Sequence, residues 1–168
     1  CITRSGNQYP GQMMIWNAFP SVEAAMIGSL KYDPYKAKGP ISNLRNIKHS
    51  TIWKSLKSFR LEPGHEIVGR FKVKQENISS FVKAMDSLEK EIQDNGHPDF
   101  FNGVFVSIAG GAESQTLKVR SITSSASDQG KIADEYFIGK YKSFNDAIAF
   151  TEGFVDEQIQ VCEQIYKK

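Results

Sequence analysis

The most restrictive feature of this chain is the junction of two periodicities between residues 65 and 92. Across 65–74, Ile67, Phe71 and Val73 alternate with Glu66, Arg70, Lys72 and Lys74, the period-two pattern of a strand with one buried face. Beyond Asn77, a suitable cap, the residues Ile78, Phe81, Val82, Met85, Leu88 and Ile92 form one helical stripe, and Asn95-Gly96 stops it. Two more strands follow at 103–109 and 116–124, joined by Gly110-Gly111-Ala112-Glu113-Ser114 as an antiparallel hairpin. A helix with a single apolar stripe must bury it against a sheet. The expected class is therefore α+β, an antiparallel sheet with helices on one face.

The flanks read less sharply. Residues 12–19 form an apolar run ending at Pro20 and are expected to be a strand. Ser21 caps a helix to about residue 32, with Val22, Ala25, Met26 and Leu30 on one side. Pro34, Gly39 and Pro40 break the chain, and 41–60 reads either as a strand at 47–53 or a helix at 51–59. Glu62-Pro63-Gly64 is a turn, 124–130 a polar loop, and 131–141 a helical turn or an edge strand. Ser143 and Asp146 suggest a capping box for a helix carrying Phe144, Ile148, Val155, Ile159, Cys162 and Tyr166. The 168 residues form one domain, with a β-α-β-β-x-α unit over 65–168.

From Glu66 to Gln93 and on through the Val104–Thr123 hairpin, the pattern resembles the ferredoxin-like half of the dimeric α+β barrel superfamily, which includes antibiotic-biosynthesis-monooxygenase-like domains. The resemblance covers about residues 65–125, with 12–60 a candidate degenerate first half-barrel, so it implies a tandem or dimeric barrel. Such barrels hold a small ligand. Some relatives are cofactor-independent oxygenases and some degrade haem, while many have no known activity, and fold alone does not choose among them. Trp16 and Asn17 are residue types that the haem-degrading relatives use, but no motif here transfers that role.

Alternation then fixes which residues share the sheet's second face. If Ile67, Phe71, Val73, Val104, Val106, Ile108, Leu117 and Val119 meet the helices, the opposite face carries Val68, Arg70, Lys72, Phe105, Ser107, Lys118, Arg120 and Ile122. Trp16 or Asn17 joins them, but not both. Arg70, Lys72, Lys118 and Arg120, with Phe105, Ser107 and Trp16, are the candidate lining for an anionic small molecule or an acidic protein surface, since Glu66 is the only acid on these strands. A solvent-facing or partner-covered sheet is the plainer reading of the same residues.

Charge is otherwise balanced at +2, which argues against a nucleic-acid partner. It is unevenly placed: 31–60 holds eight Lys/Arg against Asp33, a local +7 beside a remainder of −5. This suits an anionic surface, another copy's acidic face, or simple solvation. His49, His65 and His97 share no ligand spacing and read as surface or loop residues, so no metal is expected. Glu89, Glu91 and Asp94 read as a solvated helix face, and the Asn77-Ile78-Ser79 sequon as a helix start. There is no nucleophile motif, no phosphate loop, no expected cofactor and no apolar run long enough to span a membrane.

The first residue is Cys1, which fits a processed secreted chain, a lipid-bearing N-terminal cysteine, or a piece of a longer protein that is then free to be cytoplasmic. Cys162 reads either as a small buried hydrophobe or as the partner of Cys1 in a disulfide, which requires an oxidising compartment. The expected function is a secreted, periplasmic or envelope-associated non-catalytic binding or assembly module, homo-oligomeric. The alternative is a small cofactor-independent oxygenase- or isomerase-like enzyme using a barrel cavity.

Overall fold

A computed structural model describes residues 1–6, 11–31, 33, 35–36, 39–108 and 111–165, with the side chains of Ile41 and Ala112 left aside. Pro34, Lys38, Gly110 and Tyr166 lie outside the described residues. The elements are β1 (Ile2–Gly6), α1 (Val22–Lys31), β2 (Ile52–Ser55), β3 (Gly64–Val73), α2 (Ile78–Asp94), β4 (Phe101–Ile108), β5 (Leu117–Thr123), α3 (Ala126–Phe137), α4 (Lys142–Ala149) and β6 (Thr151–Cys162).

All six strands join one antiparallel sheet in the order β1-β6-β3-β5-β4-β2. Its four central strands are those of a β-α-β-β-α-β ferredoxin-like unit, with β1 and β2 added at the two edges. Residues 12–60 build no second sheet among those described, contributing β2 at one edge of the first and a single bridge at Met13 beside the other.

The helical stripe does what its spacing dictates. Phe81, Ala84, Met85, Leu88 and Ile92 of α2 pack with Phe71, Val104, Leu117 and Val119, and Ile132, Tyr141 and Ala147 bring α3 and α4 into the same core. Each large side chain so buried contributes about 1.5–3 kcal/mol. Gly96, at φ 105°, reverses the chain where α2 ends. Among the described residues no helix is long and apolar enough to cross a membrane.

Four expectations are corrected. The largest concerns the C-terminus: the helix ends at Ala149, and 151–162 is a strand paired along β3. Its Thr151, Val155, Ile159 and Val161 are β-branched, and tertiary pairing overrides the loose helical recurrence. Second, residues 12–19 are extended but bridge the sheet only at Met13, opposite Ile2. Third, the polar loop at 124–130 is the start of α3, whose cap Ser125 accepts the Asp128 N–H at 3.1 Å. Fourth, Ser143 lies inside the first turn of α4, where Glu91 provides the cap. Its carboxylate accepts the Lys142 and Ser143 N–H groups at 3.1 and 2.9 Å. Burial alone would raise the Glu91 pKa, but these N–H donors and Lys142 hold it below the ordinary value.

The two open segments resolve as a strand within 41–60, at Ile52–Ser55, and as helix over much of 131–141. α1 forms where expected but turns differently. Val22, Ala25 and Gly28 face inward, with the Phe19 ring against Gly28, while Met26 and Leu30 are exposed together with Ile27. Small residues let the helix lie close to its neighbours, leaving its larger apolar side chains outside.

Candidate functional site

Pairing places Glu66, Val68, Arg70, Phe105, Lys118, Arg120 and Ile122 on the face away from α2, as alternation predicts. The face is covered by the chain's own N-terminal third. Trp16 rises from the extended segment with its ring centroid 6.3 Å from that of Phe105, and Phe59 packs edge-on to Phe105 at 4.9 Å. Gly103 makes the second contact feasible, because a Cβ there would stand 2.2 Å from the Phe59 ring.

Beneath these rings lies a charge network. Arg120, 1% exposed, forks onto the fully buried Glu66: its Nε donates to Oε2 at 2.8 Å and its Nη2 to Oε1. Gln160 of β6 donates to the same carboxylate at 3.0 Å. The Arg120 guanidinium also lies 4.5 Å from the Trp16 ring centroid and 5.0 Å from that of Phe59. Arg70 pairs with Asp156, Nε to Oδ1 at 2.7 Å, and approaches Glu113 at 3.4 Å. Lys118 lies 3.5 Å from Glu113 and 4.2 Å from the Trp53 ring centroid, and burial depresses its pKa against the pull of Glu113. Ser107 donates its hydroxyl to the Glu113 carbonyl at 3.0 Å.

The expectation that this face offers no acid except Glu66 is thereby corrected. Asp156 arrives on β6 and Glu113 from the turn Gly111–Glu113, so three cations meet three carboxylates. The structure brings Arg70, Phe105, Ser107, Lys118, Arg120 and Trp16 together, but it leaves Lys72 exposed and outside the network. Asp156, Gln158 and Gln160 were legible only as period-two polar positions, a signal masked by the helical reading of that segment.

Cys1 and Cys162 form a disulfide beside this network, tying β1 to the end of β6. The Cys1 sulfur is therefore not available to a thioether-linked lipid. Arg120 Nη2 lies 3.9 Å from Cys162 Sγ and Glu66 Oε1 4.0 Å from Cys1 Sγ. Ligand atoms of Cys1, Glu66 and Cys162 come within 4.8 Å of one another, but the sulfurs bind each other and Glu66 is held by Arg120 and Gln160.

Two other polar groups depart from expectation. His97 is buried, with Nδ1 2.6 Å from Asp128 and Nε2 2.9 Å from Glu135. It is not a surface histidine, because the chain leaving α2 tucks under α3 and sets each ring nitrogen beside a carboxylate. Lys140 and Tyr141 also donate to Glu135, whose pKa falls to about 2. Glu89 is likewise engaged, accepting from Lys57 at 2.7 Å and from the Asn102 N–H at 2.8 Å.

Fold and face define a ferredoxin-like α+β protein whose second sheet face is filled by its own chain. No family profile matches the sequence, and no curated protein is significantly similar to it. Among solved structures it is similar to a NIPSNAP-family protein of unknown function from Agrobacterium tumefaciens (16% identity, TM-score 0.44, 64% of this chain and 95% of that one). It is also similar to a major regulator of staphylococcal pathogenesis (10%, TM-score 0.47, 70% and 72%) and to a candidate monooxygenase from Fusobacterium nucleatum (13%, TM-score 0.38, 66% and 48%).

Proposed function

We propose that the chain is a non-catalytic binding and assembly module that meets an acidic protein partner in an oxidising, extracytoplasmic compartment. The observation that carries this reading is the filled second face: Arg70, Lys118 and Arg120 are neutralised from within the chain and roofed by Trp16, Trp53 and Phe59. The three cations are matched by three carboxylates, and among the described residues only single donors such as Arg120 Nη1 and Trp16 Nε1 are left without a partner, so no charged ligand is called for on this face and recognition moves to the outer surface. There, Lys31, Lys48, Lys54 and Arg60 of the basic segment remain exposed. The disulfide supports the compartment, since such bonds persist where thiols are not kept reduced.

Native mass spectrometry of oxidised protein purified from its source tests this. The expected result is a protein partner, released as salt rises, with no organic molecule retained. A small molecule held stoichiometrically and lost on Ser107→Val or Lys118→Met substitution would overturn the reading in favour of a ligand-processing cavity.

A further inference from the structure

The two edges of the sheet carry opposite charge. Residues 151–165, which form β6, beside the edge strand β1, and its exit, hold four acids and no Lys or Arg. Asp156 is paired with Arg70 and Glu152 lies 3.7 Å from Lys74, which leaves Glu157 and Glu163, while the basic segment 31–60 leads into β2 at the far edge. Four inter-strand steps set β6 and β2 about 19 Å apart.

The acidic edge is also apolar. On the helix-side face, Ile159 pairs with Ile67 and Phe154 with Phe71, beyond the cover of α2–α4. Ile2, Phe154, Val155 and Ile159 are all exposed, Ile159 by 43%. Glu157 stands among them opposite Gly69, a position overhung by the Phe71 and Phe154 rings. Partial burial raises its pKa. The outer edge of β1 is already bonded: Thr3 N–H donates to Gln12 and Gly11 N–H to Thr3. Strand addition there is blocked, so a partner must come to the face.

At the basic edge, α1 lies against β2 and offers the matching surface. Met26, Ile27 and Leu30 form an exposed apolar stripe with no buried residue on the helix, Leu30 is 87% exposed, and Lys31 follows. We infer that copies of this chain associate head to tail, α1 of one docking its Met26–Leu30 stripe on the Ile2–Phe154–Ile159 strip of the next, with Lys31 meeting Glu157. This rests on the assembly reading above and names its acidic partner as a second copy. Two strips placed face to face would instead oppose Glu157 to itself, a like-charge contact that the offset pairing avoids. Because the two surfaces differ, the contact is heterologous and builds rings or filaments instead of stopping at two.

Sedimentation velocity of the oxidised protein tests this. Wild type is expected to grow past the dimer with concentration. Leu30→Asp and Ile159→Asp, both at exposed positions, should each be monomeric with unchanged near-UV circular dichroism. Mixed one to one, they should form a dimer and nothing larger, since each retains the surface the other lacks. Glu157→Lys should weaken association at least tenfold, and mixing it with Lys31→Glu should restore growth past the dimer, because both contacts of an alternating array then pair opposite charges. A wild type that is monomeric throughout overturns the inference while leaving a different acidic partner to the native-mass test. A wild type that stops at a dimer, or variants that fail to complement, overturns the head-to-tail geometry.

Discussion

Replacing Glu66 by Gln removes one charge from the most enclosed part of the molecule. Glu66 is fully buried and Arg120 1% exposed, and the carboxylate accepts from the Arg120 Nε and Nη2 and from the Gln160 amide. A glutamine keeps one acceptor oxygen and turns an NH2 toward the guanidinium, so Arg120 stays charged, buried and half-satisfied. Breaking such a pair from one side costs about 3–5 kcal/mol. With a urea dependence of about 2 kcal/mol per molar, the unfolding midpoint should fall by roughly 1.5–2.5 M. The protein is kept oxidised, so that the disulfide contributes equally to both curves. The double variant Glu66→Leu/Arg120→Met should recover most of the loss, because an apolar pair under Trp16 and Phe59 leaves no uncompensated charge. A loss below about 1 kcal/mol for Glu66→Gln, or a double variant as damaged as the sum of Glu66→Leu and Arg120→Met, would refute the account.

Phe81→Ala should lower stability by about 3–5 kcal/mol in the same assay, since its ring is enclosed by the core and packs 5.8 Å from that of Phe71. Reduction, or Cys1→Ser, should cost about 2–5 kcal/mol, because the bond spans 161 residues of sequence, and thermal denaturation with and without reductant measures it. On acidification, Glu135 should lose its contribution. Its folded pKa of about 2 lies below the usual unfolded value of about 4.3, so the stabilisation is complete above that value and disappears as pH falls through 2. Denaturation curves from pH 6 to 2 should show this slope reduced in Glu135→Gln.

The central β-α-β-β was legible because each element carries its own period, two for the strands and 3.6 for the helix, whichever element it pairs with. The division of the sheet into two faces followed from alternation alone, and Arg70, Lys118 and Arg120 stand where it put them. Their partners were hidden for a physical reason. Glu113 lies in a turn without periodicity. Asp156 and Gln160 lie on a strand that buries Gln158 and Gln160 and exposes Phe154, Val155 and Ile159, the reverse of the ordinary pattern at those positions. His97 was misread for a related reason: a histidine after a helix stop looks exposed until α3 supplies two carboxylates above it.

That reversed strand also determines what must set the register of β6. A slip of one residue turns every side chain to the opposite face. For β6 this would carry Val155, Ile159 and Val161 into the enclosed layer together with Glu157, and bring Asp156, Gln158, Gln160 and Cys162 out to water, so apolar burial alone does little to hold the observed alignment. What opposes the slip is the loss it inflicts on β3. Arg70 would give up Asp156 and Glu66 would give up Gln160, leaving partly unpaired charge in a closed layer at several kcal/mol per group. Cys162, opposite Gly64 at the end of the ladder, would also turn away from Cys1. The buried charges thus act chiefly by excluding the neighbouring register. The exposed Ile159 and Val155 are the consequence: in the correct alignment β6 must present its apolar residues on the uncovered side of the sheet.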